Sequence, residues 1–447
     1  MSISPRKLLW NAATRLKLLA HRQWPAWRRF RAADGAVSSP ISSSGRRLVI
    51  LTWEFPPQVT GGVYRPLSFA RHAAASGWQV EVVCGPAASP PSEAGRHLAS
   101  FLPASVPVTR VTADKGPHPW PLPNIDGGII NALSLYEAAA ARITPGESGV
   151  ILASGPPFAN FVAGLWLARR TGWKLALDYR DEWTQAPFKF VDKAGDNPGW
   201  EKRCLERADM VIFTTPSQLA HAERHFPSLA RSQNTVVYNG WEPGDFAEAP
   251  PPQAPDPASP ITLAYLGNLG AMAAPDAFLS TLAAALGAQP ELRSRLKVLL
   301  VGHKRPDALE ALRTFPFPEA IELVDSVPKP EACSMMQRVD GLLLLNPAGL
   351  HRYIQGKLYE YIASGTPVLV FGAGGEMEKI VESLGAGTTV AEGDAAGLVR
   401  ALDGLRSRRN SNPEKRGKWL ASRERAVLAG VLYRQLDTLI AASPEKP

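Results

Sequence analysis

A glycine, a lysine and a glutamate stand within five residues of one another in the stretch GKLYEYIASGTPVLVF. Gly356 opens a predicted helix, where unpaired backbone N–H groups and the positive end of the helix dipole can meet an anion. Lys357 adds a positive charge, and the carboxylate of Glu360 can accept two hydrogen bonds from vicinal ribose hydroxyls. These residues predict a clasp for a nucleoside diphosphate. The alternative is an ordinary surface helix with a charge pair at i, i+3.

The same stretch sets the limits of its own secondary structure. Gln355 and Gly356 can begin the helix, and Gly365 can end it in a left-handed cap. Pro367 then prevents continuation into the apolar strand predicted for 368–371. Apolar residues recur at helical spacing and are expected to face a core: Leu358, Tyr361 and Ile362. The polar side of the helix is therefore available to a ligand.

Charge is distributed unevenly along the 447 residues, which carry a formal net charge of +8. The first 33 residues hold eight basic side chains and no acidic one. Without those eight, the remaining 41 basic residues equal the 41 acidic ones. This balance argues against a nucleic-acid-binding body, and the basic N-terminal arm indicates a local anionic partner.

The arm, residues 1–45 with its Ser-rich tether, has the composition of an interfacial segment. Residues 6–22 place their apolar side chains within one sector of a helix. Aromatic residues then alternate with arginines: Trp24, Trp27 and Phe30 with Arg28, Arg29 and Arg31. We expect residues 1–33 to dock on an anionic membrane surface. The alternatives are a helix packed on the protein's own body and a disordered basic tail.

The rest of the composition indicates a cytoplasmic protein, peripheral on the inner face of the cytoplasmic membrane. Cys84, Cys204 and Cys333 are odd in number and far apart, which suggests a reducing compartment. No apolar run approaches the roughly 18 residues of a spanning helix. The N-terminus also lacks the uninterrupted apolar core of a signal peptide.

Strand and helix patterns alternate twice along the chain. They predict an α/β protein with two Rossmann-like, doubly wound parallel-sheet domains, at 46–246 and 261–412. Residues 247–260 include the run APPPQAPDPASP, whose six prolines predict a semi-rigid linker. A closing helix and tail follow at 413–447, with one long helix expected over 418–439. Ligands of such sheets bind at the carboxyl ends of the strands, so a cleft between the domains is expected.

One long stretch of the first domain carries no readable motif. Residues 86–125 are rich in proline and are expected to form an irregular loop that lines a cleft.

Five stretches in this order resemble the GT-B glycosyltransferases, specifically the retaining family 4. They are FPPQVTGGVYRPLSFARHAAASGWQVEVV, SGPPFANFVAGLWLARRTGWKLALDYRDEW, VVYNGWEPGDF, LAYLGNLG and KLYEYIASGTPVL. The resemblance implies sugar transfer from a nucleotide sugar, with no metal and no cofactor. It implies donor binding mainly by the C-terminal domain and acceptor binding by the N-terminal one. The implied donor-binding residues are Gly61, Gly62, Gly267, Asn268, His351, Arg352, Gly356, Lys357, Leu358 and Glu360.

The sequence departs from the family pattern at three places. Arg352 stands where many members carry a second glutamate, eight positions before Glu360. YRDEW offers Arg180 and Asp181 where many members place a histidine. The stretch GNLGAMAAPD lacks the usual basic pair, so neutralisation of a departing diphosphate falls on other cations: Lys357, His351, Arg352, His303, Lys304 and Arg305. We therefore expect Arg180, Asp181 and Lys357 to act in catalysis, with a purely structural Arg–Asp pair as the alternative.

Three functions are compatible with these residues. The first is a glycosyltransferase that acts on a glycan or a lipid-linked acceptor in cell-envelope or exopolysaccharide synthesis. The second is a sugar-nucleotide epimerase of the same fold. The third is a non-catalytic scaffold, which Arg352 and the missing basic pair would suit.

Overall fold

The computed structural model describes residues 25–36, 45–87, 89–113, 122–247, 259–270 and 272–442. The predicted helix at 6–22, most of the tether and linker residues 248–258 lie outside these ranges. The chain divides into two compact units. The first unit comprises the described parts of Met1–Phe213, His221–Thr235 and Ala429–Pro447. The second comprises Thr214–Ala220 and the described parts of Val236–Leu428.

The first unit is built on a seven-stranded sheet with the order β3-β2-β1-β4-β5-β6-β7. Its strands are β1 (Arg47–Thr52), β2 (Gln79–Cys84), β3 (Val108–Arg110), β4 (Val150–Gly155), β5 (Lys174–Tyr179), β6 (Met210–Phe213) and β7 (Gln233–Val236). Strand β1 pairs in parallel with β2 on one side and β4 on the other. The order of strands reverses at β1, which creates a switch point where the loops after β1 and β4 diverge.

The second unit repeats the plan with six strands in the order β10-β9-β8-β11-β12-β13. Its strands are β8 (Ile261–Leu266), β9 (Leu296–Val301), β10 (Ile321–Val324), β11 (Gly341–Leu345), β12 (Val368–Phe371) and β13 (Gly387–Val390). Here β8 pairs in parallel with both β9 and β11. The predicted fold, two Rossmann-like parallel-sheet units, is confirmed.

Helices connect the strands. The described ones are α1 (25–35), α2 (Tyr64–His72), α3 (Glu93–Ser100), α4 (Ile129–Ala140), α5 (Ala159–Thr171), α6 (Asn197–Arg207), α7 (Pro216–His225), α8 (Asp276–Ala288), α9 (Leu292–Arg295), α10 (Pro306–Arg313), α11 (Lys329–Arg338), α12 (Gly356–Ala363), α13 (Gly375–Leu384), α14 (Ala395–Asp403), α15 (Pro413–Ala421) and α16 (Arg425–Ala441). Within the described ranges, none is long and apolar enough to cross a bilayer.

The central strands are apolar because both faces of each sheet are covered. All five residues of β11 (GLLLL) and all six of β4 (VILASG) are buried. Continuous apolar strands of this kind are typical of parallel sheets with helices on both faces. Large side chains fill the first core, with Trp166, Trp173 and Trp183 wholly buried. This packing fixes the strand ends from which the polar loops emerge.

The prediction of an irregular loop over residues 86–125 is wrong, because the stretch contains a helix and a strand. Ser92 caps α3, accepting a hydrogen bond from the backbone N–H of Gly95 at 3.1 Å. Leu98 anchors the helix in the core. Strand β3 extends the sheet by pairing with β2. Prolines around these short elements obscure their pattern in the sequence.

The single long helix predicted over 418–439 is also wrong, because α15 and α16 are separate. The backbone between them pairs with Trp241 instead of continuing the helical ladder. The N–H of Trp241 donates to the carbonyl of Arg423 at 3.1 Å, and the N–H of Arg425 donates to Trp241 at 3.0 Å. Beyond this break, Tyr433 donates its hydroxyl to the carbonyl of Phe69 at 2.6 Å in the first unit.

Helix α1 packs on the first unit, which corrects part of the membrane prediction. Phe30 is only 7% exposed, and its ring lies 6.0 Å from that of Trp166. The carboxylate of Asp34 accepts a hydrogen bond from the Trp166 indole at 3.2 Å. Phe30 is therefore a core residue, because its ring is already packed against Trp166. For residues 25–35, the alternative of a helix on the protein's own body is confirmed.

Candidate functional site

Helix α12 forms as its sequence predicts. It begins at Gly356 after Gln355, and Gly365 beyond its last residue has a φ of +79°. Strand β12 then begins at Val368. The apolar side of the helix is buried, and the Tyr361 hydroxyl accepts a hydrogen bond from the N–H of Leu266 at 2.9 Å. This bond fixes α12 against the carboxyl end of β8.

Two loops join at the same edge of the second sheet, the 267–270 loop after β8 and the 302–305 loop after β9. The N–H of Leu269 donates to His303 at 2.8 Å, and the N–H of Arg305 donates to Leu269 at 3.0 Å. A Cβ on Gly302 would lie 2.6 Å from the carbonyl oxygen of Gly267, so only glycine fits there. The 302–305 loop, which contains the basic residues of VGHKRP, is thus hydrogen-bonded to the 267–270 loop (GNLG), which contains no basic residue.

The polar groups of these two loops have defined partners. The carbonyl of Asn268 accepts from the Tyr265 hydroxyl at 2.7 Å, and Asn268 is exposed. The Lys304 ammonium donates to the carbonyl of Val324, and Arg305 lies 3.6 Å from the Asp307 carboxylate. Burial lowers the pKa of Lys304. Of the two cations, Arg305 is the more exposed and the more available to an anion.

Lys357 lies against the 267–270 loop. Its Nζ atom is 3.7 Å from the ring centroid of Tyr265. A Cβ on Gly267, whose φ is +131°, would lie 2.9 Å from the same atom. Burial lowers the pKa of Lys357 to about 7, against the opposing charge of Glu360. An anion placed here would favour the charged ammonium.

Glu360 lies on the polar side of α12 with its side chain 16% exposed. One carboxylate oxygen accepts a hydrogen bond from Lys329, the first residue of α11. Lys329 also lies 3.4 Å from the carboxylate of Asp245. No described residue donates to the second oxygen of Glu360. Sequence reasoning assigned no role to Lys329 or to Asp245, although Asp245 lies in the stretch VVYNGWEPGDF that carries part of the family resemblance.

Leu358, one of the predicted donor-binding residues, faces the core of the second unit. Its side chain is wholly buried, and its N–H donates to the carbonyl of Gln355 at 2.9 Å. Gly356 is exposed, with open space where a Cβ would be. The backbone available to an anion is therefore that of Gly356 and Lys357.

His351 and Arg352 lie on the turn before α12, near the start of α13. The His351 ring packs on Gly374, where a Cβ would lie 2.8 Å from Cε1. The carbonyl of Arg352 accepts a hydrogen bond from the Thr215 hydroxyl, and its guanidinium lies 5.9 Å from the Tyr353 ring centroid. The carbonyl of His351 accepts a hydrogen bond from the N–H of Glu376 at 2.9 Å, so both backbones are fixed in the second unit.

In the first unit, Arg180 joins the loops on the two sides of the switch point. It is 8% exposed and donates to the carbonyls of Gly62 at 2.6 Å and Gly155 at 3.3 Å. It also donates to Pro156 and lies 3.6 Å from the Glu54 carboxylate. A Cβ on Gly62 would lie 1.8 Å from the Glu54 carboxylate and 2.1 Å from the Arg180 guanidinium, so any larger residue there would displace these two side chains. The neighbouring Gly61 is exposed, with open space around it.

Asp181 follows Arg180 at the carboxyl end of β5. Burial raises its pKa to about 6, Glu182 and Glu54 add to the rise, and Arg180 opposes it. It accepts no hydrogen bond from the residues that the structure describes. A carboxyl group that titrates near neutral pH can take or give a proton. Sequence reasoning missed Glu54, whose signal is its position just after the buried strand β1.

The described ranges contain no group of three His, Cys, Asp or Glu side chains that could hold a metal ion. All three cysteines lie in those ranges and are buried and free of disulfides.

Two Rossmann-like units, with polar residues at the strand ends of each, are the architecture of the GT-B fold. Residues 60–240 match the family described as Glycosyl transferase 4-like domain. Residues 260–407 match the family described as Glycosyl transferases group 1. The chain belongs to the GT-B glycosyltransferases and is family 4-like.

Solved structures share this fold at low sequence identity. Sucrose-phosphate synthase from Thermosynechococcus elongatus is 18% identical, with 89% of this chain and 100% of that chain covered and a TM-score of 0.67. The α,α-trehalose-phosphate synthase from Burkholderia vietnamiensis is 13% identical, with 88% and 100% covered and a TM-score of 0.63. HepE from Anabaena, in complex with UDP-glucose, is 13% identical, with 88% and 99% covered and a TM-score of 0.57. No curated protein matches the chain in sequence.

Proposed function

We propose that this glycosyltransferase moves a sugar from a nucleoside-diphosphate donor to a glycan or lipid-linked acceptor in cell-envelope or exopolysaccharide synthesis. One observation carries the proposal. Lys357 and Glu360 lie a turn apart on α12, and Lys357 is held against Gly267 at the carboxyl edge of the second sheet. This arrangement offers, on one helix, a cation for a diphosphate and a carboxylate for the ribose hydroxyls. The bound UDP-glucose of the HepE structure supports a donor of this class.

The donor residues have separate roles in this proposal. Glu360 accepts hydrogen bonds from the ribose hydroxyls. The Lys357 ammonium and the backbone of Gly356 meet the diphosphate, with Gly267 and Asn268 beside them. His351, Arg352 and Arg305 supply further positive charge as the diphosphate departs. Each group that donates a hydrogen bond to the developing negative charge stabilises the transition state by about 3 kcal/mol in a site that excludes water.

Asp181, in the first unit, receives the proton of the acceptor hydroxyl. The acceptor oxygen bonds to the sugar on the same face from which the diphosphate leaves, because retention of configuration requires this. The pKa of Asp181, about 6, lets it hold that proton transiently at neutral pH. Arg180 keeps Gly61 and Gly62 in place through its bond to Gly62. We propose that the reaction needs no metal and no cofactor and retains the anomeric configuration, as the family resemblance implies.

The arm is proposed to bring the enzyme to a membrane. This proposal rests on residues 6–22, whose sequence predicts a basic amphipathic helix, because helix α1 is already packed on the first unit. Contact with anionic lipid would then occur at the inner face of the cytoplasmic membrane, where lipid-linked acceptors are found.

Two assays test the proposed function. The purified full chain is melted with UDP, GDP or ADP, and a ligand at about 100 times its dissociation constant should stabilise it by about 2.7 kcal/mol. The matching labelled nucleotide sugar is then incubated with a lipid-linked glycan extract, and label should enter the extract. A melting temperature unchanged by all three nucleotides would favour the scaffold. Proton exchange at the sugar without acceptor would favour the epimerase.

A further inference from the structure

The partner of Glu360 in this structure is Lys329, a residue from another helix. Lys329 is the first residue of α11, and its ammonium donates to one oxygen of Glu360. The carboxylate of Asp245, on the short turn Pro243–Phe246, lies 3.4 Å from the same ammonium. One cation thus bridges two carboxylates from different segments of the second unit.

The two carboxylates of the bridge are largely shielded from solvent, whereas the Lys329 side chain is 37% exposed. The side chains of Glu360 and Asp245 are 16% and 19% exposed. Such a pair is screened less by salt than an exposed one, and loss of the shared cation would leave two anions close together. Both carboxylates raise the pKa of Lys329 and outweigh the lowering by burial. Lys329 therefore stays charged at neutral pH, and the Glu360 side chain is held in one place.

The bridge also leaves Glu360 able to bind a second partner. An ionised carboxylate has about four lone-pair sites on its two oxygens, and Lys329 uses one of them. The described residues donate nothing to the other oxygen. Because the side chain is already fixed, less conformational freedom is lost when ribose hydroxyls bind.

We propose that Lys329, itself held by Asp245, is a positioning residue that orients Glu360 towards the vicinal hydroxyls of the donor and so makes the enzyme select ribonucleotides over 2′-deoxyribonucleotides. This inference rests on the proposed function, since it requires a nucleoside-diphosphate donor at Glu360. It assigns Lys329 no contact with the reacting atoms. Its effect is on whether the enzyme binds a nucleotide that contains ribose or one that contains 2′-deoxyribose.

The test uses calorimetric dissociation constants for the full chain with UDP, GDP and ADP, and then with the 2′-deoxy form of whichever binds. Wild type should prefer the ribonucleotide by roughly tenfold, the effect of one charge-assisted hydrogen bond. Lys329→Met should reduce that preference to about twofold or less, and Lys329→Arg should retain most of it. Once Glu360→Ala has removed the carboxylate, adding Lys329→Met should change the preference no further.

Lys297→Met is the matched control. Lys297 pairs with Glu322 in the same unit, and both side chains are about half exposed. The control should leave the preference at the wild-type value. If Lys329→Met fails to fold, Asp245→Asn decides, because it weakens the hold on Lys329 without removing the cation and should give a partial loss.

Different results would contradict the proposed function and the role of Lys329. Absence of binding by all three nucleotides to wild type would contradict the proposed function itself. A wild-type preference that disappears in Glu360→Ala but persists in Lys329→Met would overturn only the role of Lys329. Tighter ribonucleotide binding by Lys329→Met would also overturn it, because the lysine would then be competing with the ribose.

Discussion

The ammonium group of Lys357 lies over the ring of Tyr265, with 3.7 Å between Nζ and the ring centroid. The aromatic face favours the cation, but burial disfavours it more strongly and lowers the pKa of Lys357 to about 7. The lysine is therefore poised to change its charge near neutral pH. A bound diphosphate would stabilise the charged form.

Donor binding should therefore depend on pH. Affinity should fall as the pH rises from about 7 towards 9, because the free enzyme loses the Lys357 proton over that range. Nucleotide binding near pH 8 should take up a proton, which calorimetry in buffers of different ionisation enthalpy measures. Lys357→Met should bind weakly at every pH and take up no proton through this residue. An unchanged proton uptake in the variant would contradict this role.

The same shift has a consequence for stability without ligand. An unfolded Lys357 has the ordinary pKa of 10.5, so between about pH 7 and 10.5 the unfolded chain holds more protons at this residue. Its contribution to the free energy of unfolding therefore rises with pH across that window. Lys357→Met should flatten this rise.

Arg180 should prove important for stability as well as for the site. Arg180→Met removes the donor from three loop carbonyls and leaves Glu54 without its cation. We expect a loss of about 3 kcal/mol in the free energy of unfolding, measured by urea denaturation. Arg313→Met, which breaks an exposed pair with Glu310, is the control and should cause no measurable change. If Arg180→Met and Arg313→Met were equally stable, the stabilising role of Arg180 would be refuted.

Asp181 should control the acidic side of the rate profile. Transfer should slow as the pH falls below about 6, because the carboxyl is then already protonated. Asp181→Asn should lower kcat by roughly 100-fold or more and abolish that dependence. Glu54→Gln removes a charge that raises the pKa of Asp181, so the acidic limb should move to lower pH. If the rate of Asp181→Asn still fell below about pH 6, another group would be responsible for that pH dependence.

The two parts of the arm should separate by experiment. Deletion of residues 1–22 should abolish flotation with anionic vesicles and leave the melting temperature unchanged. Phe30→Ala should retain flotation but cost about 3 kcal/mol of stability, because it empties a packed position beside Trp166. If the deletion variant still floats with anionic vesicles, membrane docking by this segment is wrong.

Much of the fold could be predicted from sequence because its signals are local. The limits of α12 are set by Gly356, Gly365 and Pro367, and the structure reproduces them. The break between α15 and α16 could not be foreseen, since it depends on backbone pairing with Trp241, which is far away in the chain. Phe30 was misassigned for the same reason, because an apolar helical face does not reveal whether protein or lipid will cover it.

The candidate site was partly predictable. Lys357 and Glu360 stand out by spacing on one helix, but their neighbours come from loops that only the strand order brings together. Lys329 and Asp245 reach Glu360 in this way, and Glu54 reaches Arg180. Long-range contacts of single charged residues leave no periodic pattern in the sequence.

The most direct measurement of the central claim is the dissociation constant of the preferred nucleoside diphosphate for wild type, Glu360→Ala and Glu360→Gln. If Glu360 accepts hydrogen bonds from the ribose hydroxyls, removal of its carboxylate should weaken binding of the ribonucleotide by roughly tenfold or more. The 2′-deoxy nucleotide keeps only the 3′-hydroxyl, so loss of the carboxylate should weaken its binding less than it weakens binding of the ribonucleotide. Equal affinity of wild type and Glu360→Ala for the ribonucleotide would contradict the proposed site.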